Sequence, residues 1–296
     1  MQLKLWFLET RPQFLTLSVV LAFLGTSIAW YDGYFHPGHA LLAGFGLLLT
    51  HISVNTLNDY FDYRSGVDLA TKRTPFSGGS GMLPAALLTP KQVFWLGMSS
   101  FLVAVVIGVF FILTRGWLLI PLLLLAAGCV LLYTPVILKM PWPERAAGLG
   151  LGTLPILGLY FVQTGHYTWH AVIAAIPSGI LVHNLLLLND FPDTEADTVG
   201  GRRTLPIVMG GARASLVYSA FTIAVYLWIA GWAIAGVMPV FCLISLLTLP
   251  FAIKAIKGSR KHHDMAQLVP AMASNVLVVL ITQLLLGIGY ILAGVI

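Results

Sequence analysis

Asn58, Asp62 and Asp68 lie close together in the stretch NDYFDYRSGVD, and Lys72-Arg73-Thr74 follows a few residues on. The same order returns at Asn189, Asp193 and Asp197, followed by Arg202-Arg203-Thr204. Both copies read Asn-x-x-x-Asp, a further Asp, then two basic residues and Thr. Residues four apart share a helix face, so Asn58 sits over Asp62 and Asp193 over Asp197. Carboxylates gathered in a partly dry site repel one another and take up protons unless a cation neutralises them. Oxygen donors with no Cys or His at ligand spacing suit Mg²⁺, which fills its shell with water and phosphate when only one or two carboxylates hold it. The basic pairs supply anion contacts nearby. Two acidic and two basic arms around one cavity describe a diphosphate held through metal ions. Taken singly, either motif also reads as a solvated helix end. An ion-coupled transporter is the rival function, and it explains the carboxylates but not the matching basic pairs.

The rest of the chain must position these groups in a membrane. It has 296 residues, 58% hydrophobic and only 9% charged, with a mean hydropathy of +0.90, which excludes an ordinary soluble domain. The net charge of +5 is not spread as a basic helix or an aromatic-interleaved patch, so nucleic acid is excluded as a partner. Cys129 and Cys242 fall inside apolar runs and read as packing residues. Residues 1–11 lack a signal-peptide layout and read as an interfacial lead-in.

Hydropathy predicts an all-α integral membrane protein with nine transmembrane helices, at about 13–31, 37–58, 93–114, 116–136, 146–163, 168–189, 214–235, 237–256 and 269–295. The chain, 1–296, reads as one membrane-embedded domain. With the N-terminus inside, fifteen of the sixteen Lys and Arg fall on the cytoplasmic face and only Arg115 faces out. The two long inner loops, 59–92 and 190–213, carry the acidic motifs. Four helices separate Asp62 from Asp193, so two four-helix repeats plus one final helix, around a central cavity, account for the echo. Pro192 predicts a break, with a new short helix starting near Asp190. His183 and Asn184, one to two turns before Asn189, read as cavity-facing or, for His183, as packing or a structural hydrogen bond, and FSGGSGM at 76–82 as a lid or a plain linker.

With these residues in view, the chain resembles the UbiA-type intramembrane prenyltransferase superfamily, and within it the menaquinone-pathway 1,4-dihydroxy-2-naphthoate polyprenyltransferases. NDYFDYRSGVD resembles the first Asp-rich motif and NDFPDTEADTVGGRRTL the second, while YTPVILK and LYFVQTGHYT resemble stretches between and around them. At 141–148, PWPERAAG replaces an expected Gly-rich stretch, which leaves Glu144 without a clear counterpart. The resemblance implies Mg²⁺, a polyprenyl diphosphate donor and a small aromatic acceptor, in a bacterial or archaeal cytoplasmic membrane. It implies that Asn58, Asp62 and Asp68 hold one metal–diphosphate arm, and Asp193 and Asp197 the other. Asn58, Lys72, Arg73, Asn189, Arg202, Arg203 and Tyr133 would contact substrate. Asp62, Asp193 and Lys139 would serve the reaction itself. Another acceptor, such as 4-hydroxybenzoate, remains the alternative within the superfamily.

The charge asymmetry predicts an inside N-terminus, inside motif segments and an outside C-terminus. A cysteine introduced between residues 71 and 89 should react with an impermeant maleimide only from the cytoplasmic side, and one between 235 and 239 only from the opposite side. The reverse pattern would overturn the orientation.

Overall fold

The computed structural model describes residues 2–296. Among the described residues every regular element is helical. The helices are α1 (Gln2–Glu9), α2 (Pro12–Tyr31), α3 (Pro37–Ser65), α4 (Pro90–Arg115), α5 (Trp117–Leu131), α6 (Glu144–Thr164), α7 (Trp169–Val199), α8 (Gly211–Ile234), α9 (Val240–Ser259) and α10 (Met265–Val295). Eight of them, α2 to α4 and α6 to α10, are long and apolar enough to cross a membrane. The predicted helix at 116–136 is shorter than expected: α5 stops at Leu131. Pro135 has no N–H and disfavours helical geometry at Thr134 before it, so the chain turns there instead.

The helices close into a ring. α3 pairs with α4, α2 packs on α3, α6 and α10, and α7 touches α6, α8 and α10. α7 is the most enclosed span, with 67% of its apolar window buried, whereas α4 has only 17% buried and stands at the lipid-facing edge. Leu21, Leu24 and Ile28 of α2, Ile156 and Tyr160 of α6, Leu181 of α7 and Val278 and Leu286 of α10 share one buried core.

Two predicted boundaries move, and both matter for function. α3 continues to Ser65 and α7 to Val199, so Asn58, Asp62, Asp193 and Asp197 lie on these helices and not in the loops 59–92 and 190–213, while Asp68 sits on a separate single helical turn, Val67–Ala70. α3 ends where Gly66 adopts φ +83°, a left-handed conformation that glycine takes without steric cost. Pro192 does not break α7, contrary to the sequence expectation. Its missing N–H leaves the Leu188 carbonyl without the usual partner, but Leu187, Leu188 and Phe191 are anchored in a cluster with Tyr218, Leu268 and Met272. Thr194 Oγ1 donates to the carbonyls of Asp190 (3.1 Å) and Phe191 (2.9 Å) just beyond, which steadies the turn.

α6 and α7 cross at the contact distance of their backbones. A Cβ on Gly148 would lie 2.5 Å from the Gly179 carbonyl oxygen, and one on Gly152 2.6 Å from that of Ser178. Gly148 and Gly152 form the small-xxx-small spacing that lets membrane helices approach closely. The backbone adapts to the crossing with a π-helical turn over Leu149–Thr153.

This crossing predicts opposite outcomes for two chemically identical changes. Gly152→Ala should lower stability by about 1–3 kcal/mol through overpacking. Gly158→Ala, whose Cβ would meet only Leu122 at 3.6 Å, should be neutral or stabilising by up to about 1 kcal/mol, since alanine is the better helix former. Thermal unfolding in detergent measures both, and equal effects would contradict the crossing.

Candidate active site

Eight of the chain's eleven carboxylates gather at one end of the ring: Glu9, Asp59, Asp62 and Asp68 on the α3 side, and Glu144, Asp190, Asp193 and Asp197 on the α7 side. Asp62 and Asp197 face each other, and Arg202 stands between them. Its Nη2 pairs with Asp62 Oδ1, and its Nη1 with Asp197 Oδ1 at 2.7 Å. Burial works against the guanidinium charge, but Asp62 and Asp197 outweigh it and hold Arg202 firmly protonated.

The backbone around Arg202 is equally fixed. Arg202 N donates to the Asp197 carbonyl (2.9 Å), Arg203 N to that of Leu138 (2.9 Å) and Trp142 N to that of Arg203 (3.2 Å). Glu144, fully buried, accepts the Leu205 N–H at 2.6 Å through Oε1, and its Oε2 has no hydrogen-bond partner. Glu144, without a clear counterpart in sequence, thus braces the segment that delivers Arg202.

The loop FSGGSGM spans the two arms. Ser77 Oγ donates to Asp193 Oδ1 (3.3 Å), while the Ser80 N–H donates to Asp59 Oδ2 (2.7 Å). Gly78, Gly79 and Gly81 have φ of +89°, +71° and +76°, and a Cβ on Gly79 would press on the Asp68 carboxylate at 3.1 Å. Arg73 is spent on this loop: its Nε and Nη2 donate to the carbonyls of Gly78 (2.9 Å) and Gly79 (2.7 Å). The segment is therefore a cover seated on both acidic arms.

Glu9 and Arg11 belong to the site although sequence reading left residues 1–11 as a lead-in. Ser80 Oγ donates to Glu9 Oε2 at 2.6 Å, and Arg11 Nη1 lies 3.5 Å from Asp59 Oδ1. Burial, and then the charge of Asp59, push the Glu9 carboxyl up to about 8; Asp68 rises to about 8 for the same reasons, with Asp62 adding to them. The signal available in sequence was a Glu and an Arg bracketing the end of a short apolar helix just before Pro12.

A cavity between the helices adjoins the carboxylates, and Asn58 and Asn189, the first residues of the two motifs, both line it, together with Tyr133 and Arg11. Leu17, Val54, Val130, Leu151, Leu186 and Val279 form its apolar walls. Asn58 Nδ2 donates to Thr134 Oγ1 at 3.0 Å, while the buried Asn189 Oδ1 has no partner. Burial and the nearby Asp190 raise Tyr133 well above the ordinary phenol range, so it stays a neutral donor. Lys72, Lys139 and Arg203 are exposed and do not line the cavity. His183 is structural: Trp142 Nε1 donates to its Nε2 (2.7 Å), and its Nδ1 meets Asn184 Oδ1 (3.1 Å).

Among the described residues, no three His, Cys, Asp or Glu side chains come together as a ready-made metal cage. The donor set nonetheless fits Mg²⁺. All donors are oxygens on facing helices, one or two carboxylates per ion suffice when phosphate completes the shell, and the Arg202 guanidinium already marks the cation position between the arms.

Fold and site together define an integral membrane protein with a buried carboxylate cluster beside a largely apolar cavity. The chain matches the UbiA prenyltransferase family over residues 18–277 and belongs to it. It is a polyprenyltransferase. It is 30% identical to the 1,4-dihydroxy-2-naphthoate octaprenyltransferase of Bacillus subtilis, over 98% of this chain and 92% of that protein. Its fold is that of the UbiA homolog from Aeropyrum pernix (TM-score 0.72, 15% identity, 95% of this chain and 98% of that one). It also matches the Archaeoglobus fulgidus homolog bound to GPP and Mg2+ (TM-score 0.66, 14% identity, 97% and 99%).

Removing the bridging cation exposes the cost of the cluster. Arg202→Ala leaves Asp62 and Asp197 facing each other unpaired and should destabilise the metal-free protein by about 3–5 kcal/mol. Arg202→Lys, a point charge without the fork, should restore part of that loss. Unfolding in EDTA-containing detergent reads both, and an unchanged Arg202→Ala variant would show that the bridge carries no stability.

Proposed function

We propose that the protein transfers a polyprenyl group from a polyprenyl diphosphate to 1,4-dihydroxy-2-naphthoate in a Mg²⁺-dependent reaction. The observation that carries this reading is the pair of Asn-x-x-x-Asp helices facing each other at the head of one apolar cavity, with a cation between them. Asn58, Asp62 and Asp68 on one side, and Asp193 and Asp197 on the other, would hold Mg²⁺, which when bound offsets the negative charge of the diphosphate. Arg202, Arg203, Lys72 and Arg73 would contact the diphosphate oxygens, Arg73 after exchanging its loop carbonyls for them. Asn58, Asn189 and Tyr133 would orient the reacting ends. Lys139, exposed on the turn after Tyr133, would have to swing in toward the cavity to favour the acceptor's phenolate.

The chemistry balances without an oxidant. The allylic C–O bond to diphosphate breaks, and the electron-rich ring carbon bearing the carboxylate forms the new C–C bond. That carbon then loses CO₂, and its bonding electrons return to the ring. The apolar walls keep water from the allylic cation. The Bacillus subtilis relative supports the acceptor, and the Archaeoglobus fulgidus complex supports the donor class and the metal. We further propose that α5 crosses as a ninth span. The chain would then be one membrane domain of two four-helix units plus α10, with the motif helices α3 and α7 as the second helix of each unit and the acidic end cytoplasmic.

Three measurements test the reading. Supplied with one polyprenyl diphosphate and both 1,4-dihydroxy-2-naphthoate and 4-hydroxybenzoate, the enzyme should yield the prenylated naphthoquinol lacking its carboxylate; a prenylated 4-hydroxybenzoate alone would refute the acceptor. Asp193→Asn should abolish turnover at nearly unchanged melting, because this side chain makes one contact, to Ser77, and fills no apolar space. EDTA should silence the wild type and Mg²⁺ revive it.

The pH dependence has a definite sign. Asp68 is raised to about 8, so below that pH its metal-free form keeps a proton that a cation must displace. The Mg²⁺ concentration for half-maximal activity should fall as pH rises from about 6.5 to about 8.5. A flat profile would remove Asp68 from the metal arm.

A further inference from the structure

On the outer surface of the ring, away from the cavity, α3 and α4 form an open groove. Tyr60, Tyr63 and Arg64 line it from the last turns of α3, and Pro90, Lys91 and Phe94 from the first turn of α4. The helix face is not the catalytic one: Asp59 and Asp62 are buried, whereas Arg64 and Lys91 are exposed. Neither cation joins an ion pair among the described residues. Arg64 Nη1 donates to the Tyr60 hydroxyl at 3.0 Å, which orients the guanidinium and leaves its other donors open. The floor is aromatic, with the Tyr60 and Phe94 rings 5.1 Å apart.

Two further features place this groove at the membrane surface. Leu5 and Trp6 of α1 pack with Tyr60 and Tyr63 on one buried cluster of Leu83, Leu88 and Val93, while Leu3 and Phe7 of the same helix are exposed, as in a helix lying in the interfacial plane. Along α4, Lys91 heads a single stripe at helical spacing formed by Trp95, Leu102, Val106 and Leu113, exposed at 54%, 52%, 68% and 81%. A cationic pair at the interface thus sits directly above an uncovered apolar track that runs the depth of the membrane on the least enclosed span.

We propose that this groove binds an anionic phospholipid, its phosphate held by Arg64 and Lys91 and one acyl chain laid along the α4 stripe. The charge pair selects an anionic head, and basic residues with tyrosines at a membrane interface are the side chains that hold one. The stripe selects an occupant with a chain, because a free anion would gain nothing from Trp95 or Leu102.

Lipid retention in native mass spectrometry tests this, using the full chain purified in a neutral detergent and titrated with phosphatidylglycerol, phosphatidylcholine or inorganic phosphate. The wild type should keep phosphatidylglycerol in preference to phosphatidylcholine. Arg64→Gln and Lys91→Gln should each weaken that binding about fivefold, and the double variant about 25-fold, from the roughly 1 kcal/mol carried by each cation near an anionic surface. Lys257→Gln with Lys261→Gln removes the same charge elsewhere and should change nothing. The variants should keep prenyl transfer in lipid-free detergent, which reports an intact fold; should the Arg64 variants lose it, Lys91→Gln alone decides the question. Equal phosphatidylglycerol binding by wild type and Lys91→Gln would overturn the proposal. So would an equal loss in the Lys257/Lys261 pair, or inorganic phosphate competing as well as the lipid.

Discussion

The ion pairs of Arg202 with Asp62 and Asp197 are the interaction on which the rest of this molecule depends. Carboxylates from two sides of the helix ring meet where water is scarce, and without a cation they would push α3 and α7 apart. A long chain of contacts exists to deliver that one guanidinium. Glu144 holds the backbone of Leu205, Trp142 and Leu138 hold Arg203, and the carbonyl of Asp197 holds Arg202 itself. The Gly148–Gly152 crossing in turn fixes α6, which carries Glu144, against α7, which carries Asp197. Packing in the membrane and charge at its surface are therefore one problem, solved by the same two helices.

The division between the acidic head and the apolar cavity follows from the same geometry. Asn58 and Asn189 are neutral and stand one helical turn deeper than Asp62 and Asp193. Both asparagines line the cavity; along α7 the lining steps from Asn189 to the apolar Leu186 and Leu185, while along α3 it stays partly polar through Asn55, His51 and Thr50. A substrate with a charged head and a hydrocarbon tail has one orientation that matches this gradient. Tyr133, kept neutral by burial, continues the neutral step on a third element.

Much of the architecture is legible in sequence, and the reasons are physical. Asn58 and Asp62, or Asp193 and Asp197, announce their shared faces because a helix repeats every 3.6 residues whatever surrounds it. The lengths of the spans follow from the thickness of the bilayer. Local rules misled where tertiary contacts outweighed them. Pro192 costs a hydrogen bond, yet the apolar anchorage of Leu187, Leu188 and Phe191 carries α7 through it. Polar composition after Asn58 and Asn189 read as loop, but their carboxylates are buried against Arg202 and the cover, so the helices run on. The parts of Glu9, Arg11 and Glu144 in the site depend on partners 71, 48 and 61 positions away, and no local pattern encodes such pairings.

The cover over the site has two unequal fastenings. Toward α3 it is sewn down by the Ser80 amide on Asp59, the Ser80 hydroxyl on Glu9 and the packing of Gly79 on Asp68. Toward α7 the Ser77 hydroxyl donates to Asp193 at 3.3 Å, and Phe76 packs against the cluster of Leu187, Leu188 and Phe191. The cover thus ties the two motif helices together by different means, hydrogen bonds toward α3 and mainly apolar packing toward α7, with the left-handed glycines at 78, 79 and 81 carrying the chain between them.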